Sequence, residues 1–194
     1  MNRRGLIALV LGCAAFVPQL AFALSVPELQ QLLKAEVRTQ VSFREVRESP
    51  WLAAPVVTQG TMRSTANALE KKVESPVSET WRLMDDRVER RAADGQTRSI
   101  SFQRAPALGA LSETLRSIVA GDLAGLARDF DIRLEGDAHA WHAILAPRAA
   151  AVRQQLQSIE VQGAGGTVHT LIVIDREGEK TTTIFEGASM PPSR

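Results

Sequence analysis

The sequence has 194 residues, of which 23 are basic and 22 acidic, so its formal net charge is only +1. A charge this close to balance gives no support for nucleic acid or an anionic membrane surface as a partner. One cysteine, three histidines and no tyrosine leave few groups for thiol, metal or proton-transfer chemistry.

Residues 1–23 have the three parts of a secretory signal peptide. Arg3 and Arg4 give the charged start, residues 6–17 form the apolar core, and small residues end the segment. The apolar core is shorter than the ~20 residues that a membrane-spanning helix needs. The sequence therefore predicts cleavage of this segment and an exported, soluble, periplasmic chain with a single domain, residues 24–194.

The cysteine at position 13 permits two interpretations. It either lies within the apolar core of the signal peptide or becomes the lipid-modified first residue of a lipoprotein. We favour the first interpretation because the apolar run continues beyond Cys13 through Phe16 and Val17. On that interpretation the mature chain has no cysteine, so we expect no disulfide, no thiolate metal site and no thiol nucleophile.

The predicted mature chain opens with the signature of a helix. Ser25 and Glu28 form a capping box, and Pro27 occupies the first turn, where its missing N–H is not needed. Apolar residues then recur at helical spacing, at Leu29, Leu32, Leu33 and Val37. We therefore expect an amphipathic helix at the start of the domain.

Short segments with the composition and alternation of β-strands follow this helix. They cover residues 41–48, 56–64, 69–74, 79–84, 87–91 and 97–103. Tight turns are expected at Asp85-Asp86 and at Asp94-Gly95, between consecutive segments. Short strands joined by tight turns predict an antiparallel meander.

The hydrophobic period then changes to that of a helix. One helical face carries Leu108, Leu111, Leu115, Ile118 and Val119. This helix is expected to end at Gly121, and Asp122 to cap a shorter second helix. Strand patterns resume over residues 132–136, 140–146, 156–163, 168–175 and 180–186. The predicted fold class is mainly β with α (α+β), a strongly curved antiparallel sheet with helices on one face.

The histidines show no metal-binding pattern. His139 and His142 are three positions apart, but the run around Trp141 predicts a strand, which sends such positions to opposite faces. His169 lies in another predicted strand, and we expect it on the sheet surface. Since the sequence also has no G-x-S-x-G motif, it predicts no catalytic residue, no metal and no cofactor.

Four passages, taken in order, point to a known family. They are residues 41–48 after the opening helix, residues 59–63, residues 73–80 before Trp81, and the pattern Ala120-Gly121-Asp122 with Leu126 and Phe130. In this order they resemble the LolA family of periplasmic outer-membrane lipoprotein carriers, and particularly its LolA-like branch. The resemblance extends from about residue 26 to residue 185.

The resemblance implies a fold and a site. LolA proteins are incomplete antiparallel β-barrels, half-barrels whose helices cover the concave face as a lid over an apolar cavity for acyl chains. They usually have an Arg-Pro pair after the second strand, and its arginine helps to hold the lid closed. The matching stretch here is Thr65-Ala66-Asn67. This departure leaves the gating of the lid and the identity of the cargo, lipoprotein or lipid, open.

Candidate residues for the lining of such a cavity come from the sheet and from the lid. They are Phe43, Met62, Leu69, Trp81, Leu83 and Phe102 from the sheet, with Leu111, Leu115 and Ile118 from the lid helix. Each of these side chains would also suit an ordinary core, since cavity linings and cores use the same residue types.

The function implied is non-catalytic carriage of an acyl lipid or lipoprotein cargo by a monomer. An inner-membrane donor and an outer-membrane acceptor are the expected partners. Two alternatives stay open at this point. One is a periplasmic interaction module, a sensor or chaperone of the same fold that binds a protein partner. The other is a hydrolase whose scattered site leaves no motif.

Overall fold

The computed structural model describes residues 24–36, 39–65 and 67–186. The predicted signal peptide with Cys13, Val37 and the C-terminal tail from residue 187 lie outside the described residues. Within the described part, no helix is both long enough and apolar enough to cross a membrane.

The described part of the chain forms one antiparallel sheet of eleven strands. The strands are β1 Gln40–Glu48, β2 Val56–Ser64, β3 Leu69–Ser75, β4 Glu79–Leu83, β5 Arg87–Arg91, β6 Thr97–Ser101, β7 Phe130–Gly136, β8 Trp141–Pro147, β9 Leu156–Ala164, β10 Thr167–Asp175 and β11 Lys180–Glu186. Every strand predicted from the sequence is present, and its ends differ from the prediction by at most two residues. The mainly β fold class with a few helices is therefore confirmed.

The order of the strands explains why the sheet is open. Neighbours run β6-β5-β4-β3-β2-β1-β11-β10-β9-β8-β7, so every consecutive pair of strands is adjacent except β6 and β7. These two strands form the opposite edges, while β1 pairs with β11 and places Phe43 opposite Phe185. Pairing of β6 with β7 would close the meander into a barrel. These two edges do not pair in the described part of the chain, which forms two helices between them, and the barrel is therefore incomplete.

Four helices accompany the sheet within the described residues. They are α1 Val26–Ala35, α2 Pro106–Val119, α3 Leu123–Leu126 and α4 Ala150–Arg153. Buried side chains of α1, α2 and α3 join one hydrophobic core with alternate residues of the strands, such as Phe43, Met62 and Leu145. We call the sheet face that carries these core residues the inner face. The sequence did not predict α4, because it follows Ala149 and so has no side-chain cap to mark its start, unlike α3 after Asp122.

The ends of the first two helices follow the sequence signals. At α1 the Ser25 Oγ accepts a hydrogen bond from the Glu28 backbone N–H at 3.4 Å, and a Glu28 carboxylate oxygen accepts one from the Ser25 N–H at 2.8 Å. Gly121 ends α2 with φ +66°, and the Asp122 N–H reaches back to the Ser117 carbonyl at 2.7 Å. The predicted capping box and the predicted end of α2 are thus present.

Gly121 also sets how closely α1 and α2 approach. A Cβ at this position would lie 2.9 Å from the Leu33 carbonyl oxygen, which real Cβ contacts do not reach. The buried Gln30 amide donates to the Gly121 carbonyl oxygen at 2.7 Å. These contacts fasten the C-terminal end of α2 to α1.

The prediction that His169 lies on the sheet surface is wrong. The residue is only 6% exposed and belongs to the buried part of β10. The pairing of β10 with β9 shifts by one residue between Val168 and Thr170, so His169 is the extra residue of a bulge. A bulge resets the alternation of faces along a strand, and the sequence pattern gave no sign of it.

Candidate functional site

A cavity of about 480 Å³ lies between α2 and the inner face of the sheet. Helix α2, the predicted lid helix, contributes Leu108, Leu111 and Leu115, about one turn apart along its apolar face. Opposite them, Trp81 and Leu83 of β4 face the same space. Apolar side chains of Val88, Leu156, Leu171 and Val173 complete much of the wall. The volume lies within the range of ordinary ligand pockets, roughly 300–1,000 Å³.

Helix α2 is held over the sheet at both of its ends. Near its start, Gly109 packs against Phe102, and an added Cβ would come within 2.9 Å of the Phe102 Cβ. Near its end, Arg116 forms an ion pair with Asp85 in the turn between β4 and β5. Asp85 is highly exposed, so this ion pair contributes little stability. Helix α2 therefore has an arginine contact to the sheet, although the stretch at residues 65–67 has no Arg-Pro pair.

The structure places the predicted lining residues in two groups. Trp81, Leu83, Leu111 and Leu115 line the 480 Å³ cavity. The others pack in or against the core: Phe43, Met62, Leu69 and Ile118 are buried, and Phe102 is partly buried. Leu69 also borders a polar cavity, and Ile118 a gap of about 60 Å³. Whether any of them contacts a ligand stays a prediction.

The sequence prediction missed the charged side chains of this cavity. Glu45, Arg47, Lys71, Asp175 and Glu179 all line it, together with Thr181 and Thr183. One signal was present in the sequence. Positions 43, 45 and 47 of β1 share a face, because side chains alternate along a strand. Placing Phe43 on the inner face would therefore have placed Glu45 and Arg47 there too.

A nearly buried ion pair joins two of these side chains across the sheet. The Lys71 Nζ lies 2.8 and 2.7 Å from the two carboxylate oxygens of Glu45, and the Thr183 hydroxyl donates to the same carboxylate at 2.8 Å. The Lys71 ammonium also lies 4.8 Å from the centre of the Phe43 ring. Glu45 and Lys71 are 19% and 16% exposed. These hydrogen bonds make the pair tolerable in a poorly solvated place.

Gly60 lies between these groups on β2, opposite Phe43. The pairing of β2 with β3 is irregular there, and a Cβ on Gly60 would lie only 1.9 Å from the Lys72 carbonyl oxygen. Only glycine allows this close approach of the two backbones.

The indole of Trp81 is also fixed by charged neighbours. Its Nε1–H donates to one Glu79 carboxylate oxygen at 2.7 Å, and Arg90 donates to the other at 2.6 Å. The Arg90 guanidinium lies 5.6 Å from the centre of the Trp81 ring. The one aromatic side chain among the described lining residues is thus held in place by hydrogen bonds.

The remaining titratable groups lie away from this cavity. His142 of β8 is 3.1 Å from a Glu160 carboxylate oxygen, and His139 lies in the turn before β8. Backbone N–H groups of His139 and Ala140 hold the pKa of Asp137 below its usual range. Among the described residues, no group of three or more His, Cys, Asp or Glu side chains is arranged to hold a metal ion.

The comparisons with known proteins agree with this architecture. The family model described as "Outer membrane lipoprotein carrier protein LolA-like" matches residues 20–193. The resemblance seen in the sequence is therefore confirmed. No curated protein has significant similarity to this chain.

Two crystal structures are similar to parts of the fold. One is of a LolA superfamily protein from Nitrosomonas europaea, 12% identical, covering 88% of this chain and 96% of its own, with a TM-score of 0.45. The other is of a DUF1329 family protein from Desulfovibrio piger, 13% identical, covering 86% of this chain and 92% of its own, with a TM-score of 0.43.

Proposed function

Because the chain belongs to the family of LolA-like outer membrane lipoprotein carrier proteins, we propose that it is a periplasmic carrier of acyl chains. It shelters the chains of a lipid or lipoprotein in the cavity beneath α2 and passes them between the envelope membranes. An inner-membrane donor would load it, and an outer-membrane acceptor would unload it.

The cavity is the observation that supports this proposal. Its wall combines the apolar face of a helix with apolar side chains of the sheet, and no polar contact is needed to hold an alkyl chain there. Burial stabilises each methylene group by about 0.8 kcal/mol, so a chain of about 14 carbons gains on the order of 10 kcal/mol before ordering costs. Carriage by burial alone is therefore sufficient, and we assign no catalytic step.

The test is native mass spectrometry with lipid extraction on the chain from Leu24 onward, purified gently from the periplasm. The variant Leu115→Glu places a carboxylate in the cavity wall. We expect bound acyl lipid in the wild type and its loss in the variant, since burying an unpaired charge beside a lipid chain is costly. The matched control is Val57→Glu, which adds the same charge at an exposed apolar residue of β2.

Two results would contradict the carrier proposal. The first is a wild-type protein that carries no lipid and takes up neither added lipid nor lipopeptide. The second is equal lipid loss in Leu115→Glu and Val57→Glu, provided that circular dichroism shows both variants to be folded.

A second candidate, a protein-binding module, is favoured by the edge of the sheet. Strand β6 is an edge strand, and its Ile100 is an exposed apolar residue. An unpaired edge of this kind is a template for a strand of a partner protein. Stable complex formation by a lipid-free chain, abolished by a proline in β6, would move the assignment to this function.

A further inference from the structure

The cavity has a charged end where β1 pairs with β11. Three pairings between these strands show how the inner face changes along them: Arg47 faces Thr181, Glu45 faces Thr183, and Phe43 faces Phe185. From Arg47 to Phe43 the side chains of β1 change from charged to aromatic. Arg47, Glu45 and both threonines line the cavity, whereas Phe43 and Phe185 are buried in the core.

Most charges at this polar end already have partners. Glu45 is bound by Lys71 and Thr183. One carboxylate oxygen of Asp175 accepts the backbone N–H groups of Glu177 and Glu179, both at 2.8 Å. These carboxylates therefore have no need of a ligand.

Arg47 differs from the other charged residues of the cavity. Within the described residues its guanidinium has one ion-pair partner, Glu179, at 3.9 Å, which is too long for a hydrogen bond. The two side chains are 49% and 35% exposed, so solvent screens this pair. Among the cavity's charged groups, the guanidinium donors of Arg47 are therefore the ones that the protein itself leaves accessible to a ligand head, with Thr181 opposite on β11.

The size of the cavity suits a single acyl chain. Its volume of about 480 Å³ lies in the range of small-ligand pockets, roughly 300–1,000 Å³, and one apolar face of α2 lies opposite the sheet across it. A single chain is therefore the simplest ligand for this space.

We propose that the preferred ligand is a single-chain amphiphile with an anionic head, a carboxylate or a phosphate monoester, whose head is bound by Arg47. This inference rests on the proposed acyl-carrier function. The planar guanidinium matches carboxylate and phosphate oxygens with two parallel hydrogen bonds. The chain lies along Leu111 and Leu115 of α2, and the partly exposed Glu179 turns to solvent when the ligand head takes its place.

The test compares ligands that have the same chain length and differ only in the head group. Palmitate, hexadecyl phosphate and hexadecanol compete at equal concentration for the lipid-stripped chain, and occupancy is measured by native mass spectrometry. The variants are Arg47→Gln and, as a matched control, Arg44→Gln, an exposed arginine on the opposite face of β1. We expect an anionic probe to outcompete hexadecanol in the wild type and in Arg44→Gln. In Arg47→Gln the affinity for that probe should fall about tenfold, the size expected for hydrogen bonds to a charged group, with hexadecanol unchanged.

The outcomes separate this inference from the proposed function. Preference for palmitate or for hexadecyl phosphate identifies which anionic head is bound. Equal binding of hexadecanol and the anionic probes, or an equal loss of all three in Arg47→Gln, overturns the head assignment and leaves the acyl cavity intact. Failure of every probe to bind the wild type overturns the acyl cavity and the head assignment together.

Discussion

The ion pair between Glu45 and Lys71 predicts an asymmetric response to mutation. Lys71→Met keeps the length of the side chain but leaves the Glu45 carboxylate with only the Thr183 hydroxyl as a partner. Breaking a fully buried pair costs about 3–5 kcal/mol. Because the two side chains keep 16% and 19% exposure, some solvent screening remains, and we reduce the expected loss of unfolding free energy to about 2 kcal/mol.

Urea unfolding measures this loss. With a slope of about 2 kcal/mol per molar, the midpoint should fall by about 1 M. The double variant Glu45→Gln, Lys71→Met removes the stranded charge and should recover about half of the loss. The matched control is Lys72→Met, on the other face of β3, whose ion pair with Glu74 is more than half exposed. It should change the free energy by no more than about 0.5 kcal/mol. Equal losses in Lys71→Met and Lys72→Met would refute the reasoning.

Two further predictions concern stability. Hydrogen bonds from the hydroxyl and the backbone N–H of Ser25 hold the pKa of Glu28 below its ordinary value of 4.5. The stabilisation is therefore complete above that value and is lost as the pH falls below it. Ser25→Ala also removes the N-cap hydrogen bond of α1 and should lower the stability at neutral pH. The variant should then lose less stability than the wild type between about pH 5 and pH 3, and equal losses would argue against the capping box. Gly60→Ala should destabilise the chain by about 2–3 kcal/mol in urea, because its Cβ meets the Lys72 carbonyl oxygen, and wild-type stability would show that β2 and β3 are not so close.

Much of the fold could be predicted from local patterns. Alternating apolar residues and the turn residues between them predicted the strands. Gly121 predicted the end of α2, because the residue after the helix has a left-handed conformation that glycine adopts easily. His169 was wrongly expected on the surface: it is only 6% exposed, and it lies where the pairing of β10 with β9 shifts by one residue. Bulges depend on the partner strand, which local alternation does not reveal.

The candidate site could be predicted only in part. Trp81, Leu83, Leu111 and Leu115 reach the cavity, but the same sequence pattern also describes Phe43 and the other candidates that pack in the core. The charged end of the cavity was only partly predictable. Alternation along β1 places Glu45 and Arg47 on the face of Phe43, but the contact of Glu45 with Thr183, 138 positions away, depends on the pairing of β1 with β11.

The central claim, that an acyl chain lies between α2 and the sheet, is tested most directly with brominated fatty acids and tryptophan fluorescence. Bromine quenches an indole only on close approach, and Trp81 lines the cavity, whereas Trp141 is buried in the core and Trp51 is exposed in the loop after β1. We predict quenching of the wild-type protein that disappears in Trp81→Phe. Quenching that persists in Trp81→Phe, or its absence from a wild type shown to bind the brominated acid, would place the chain elsewhere and contradict the account.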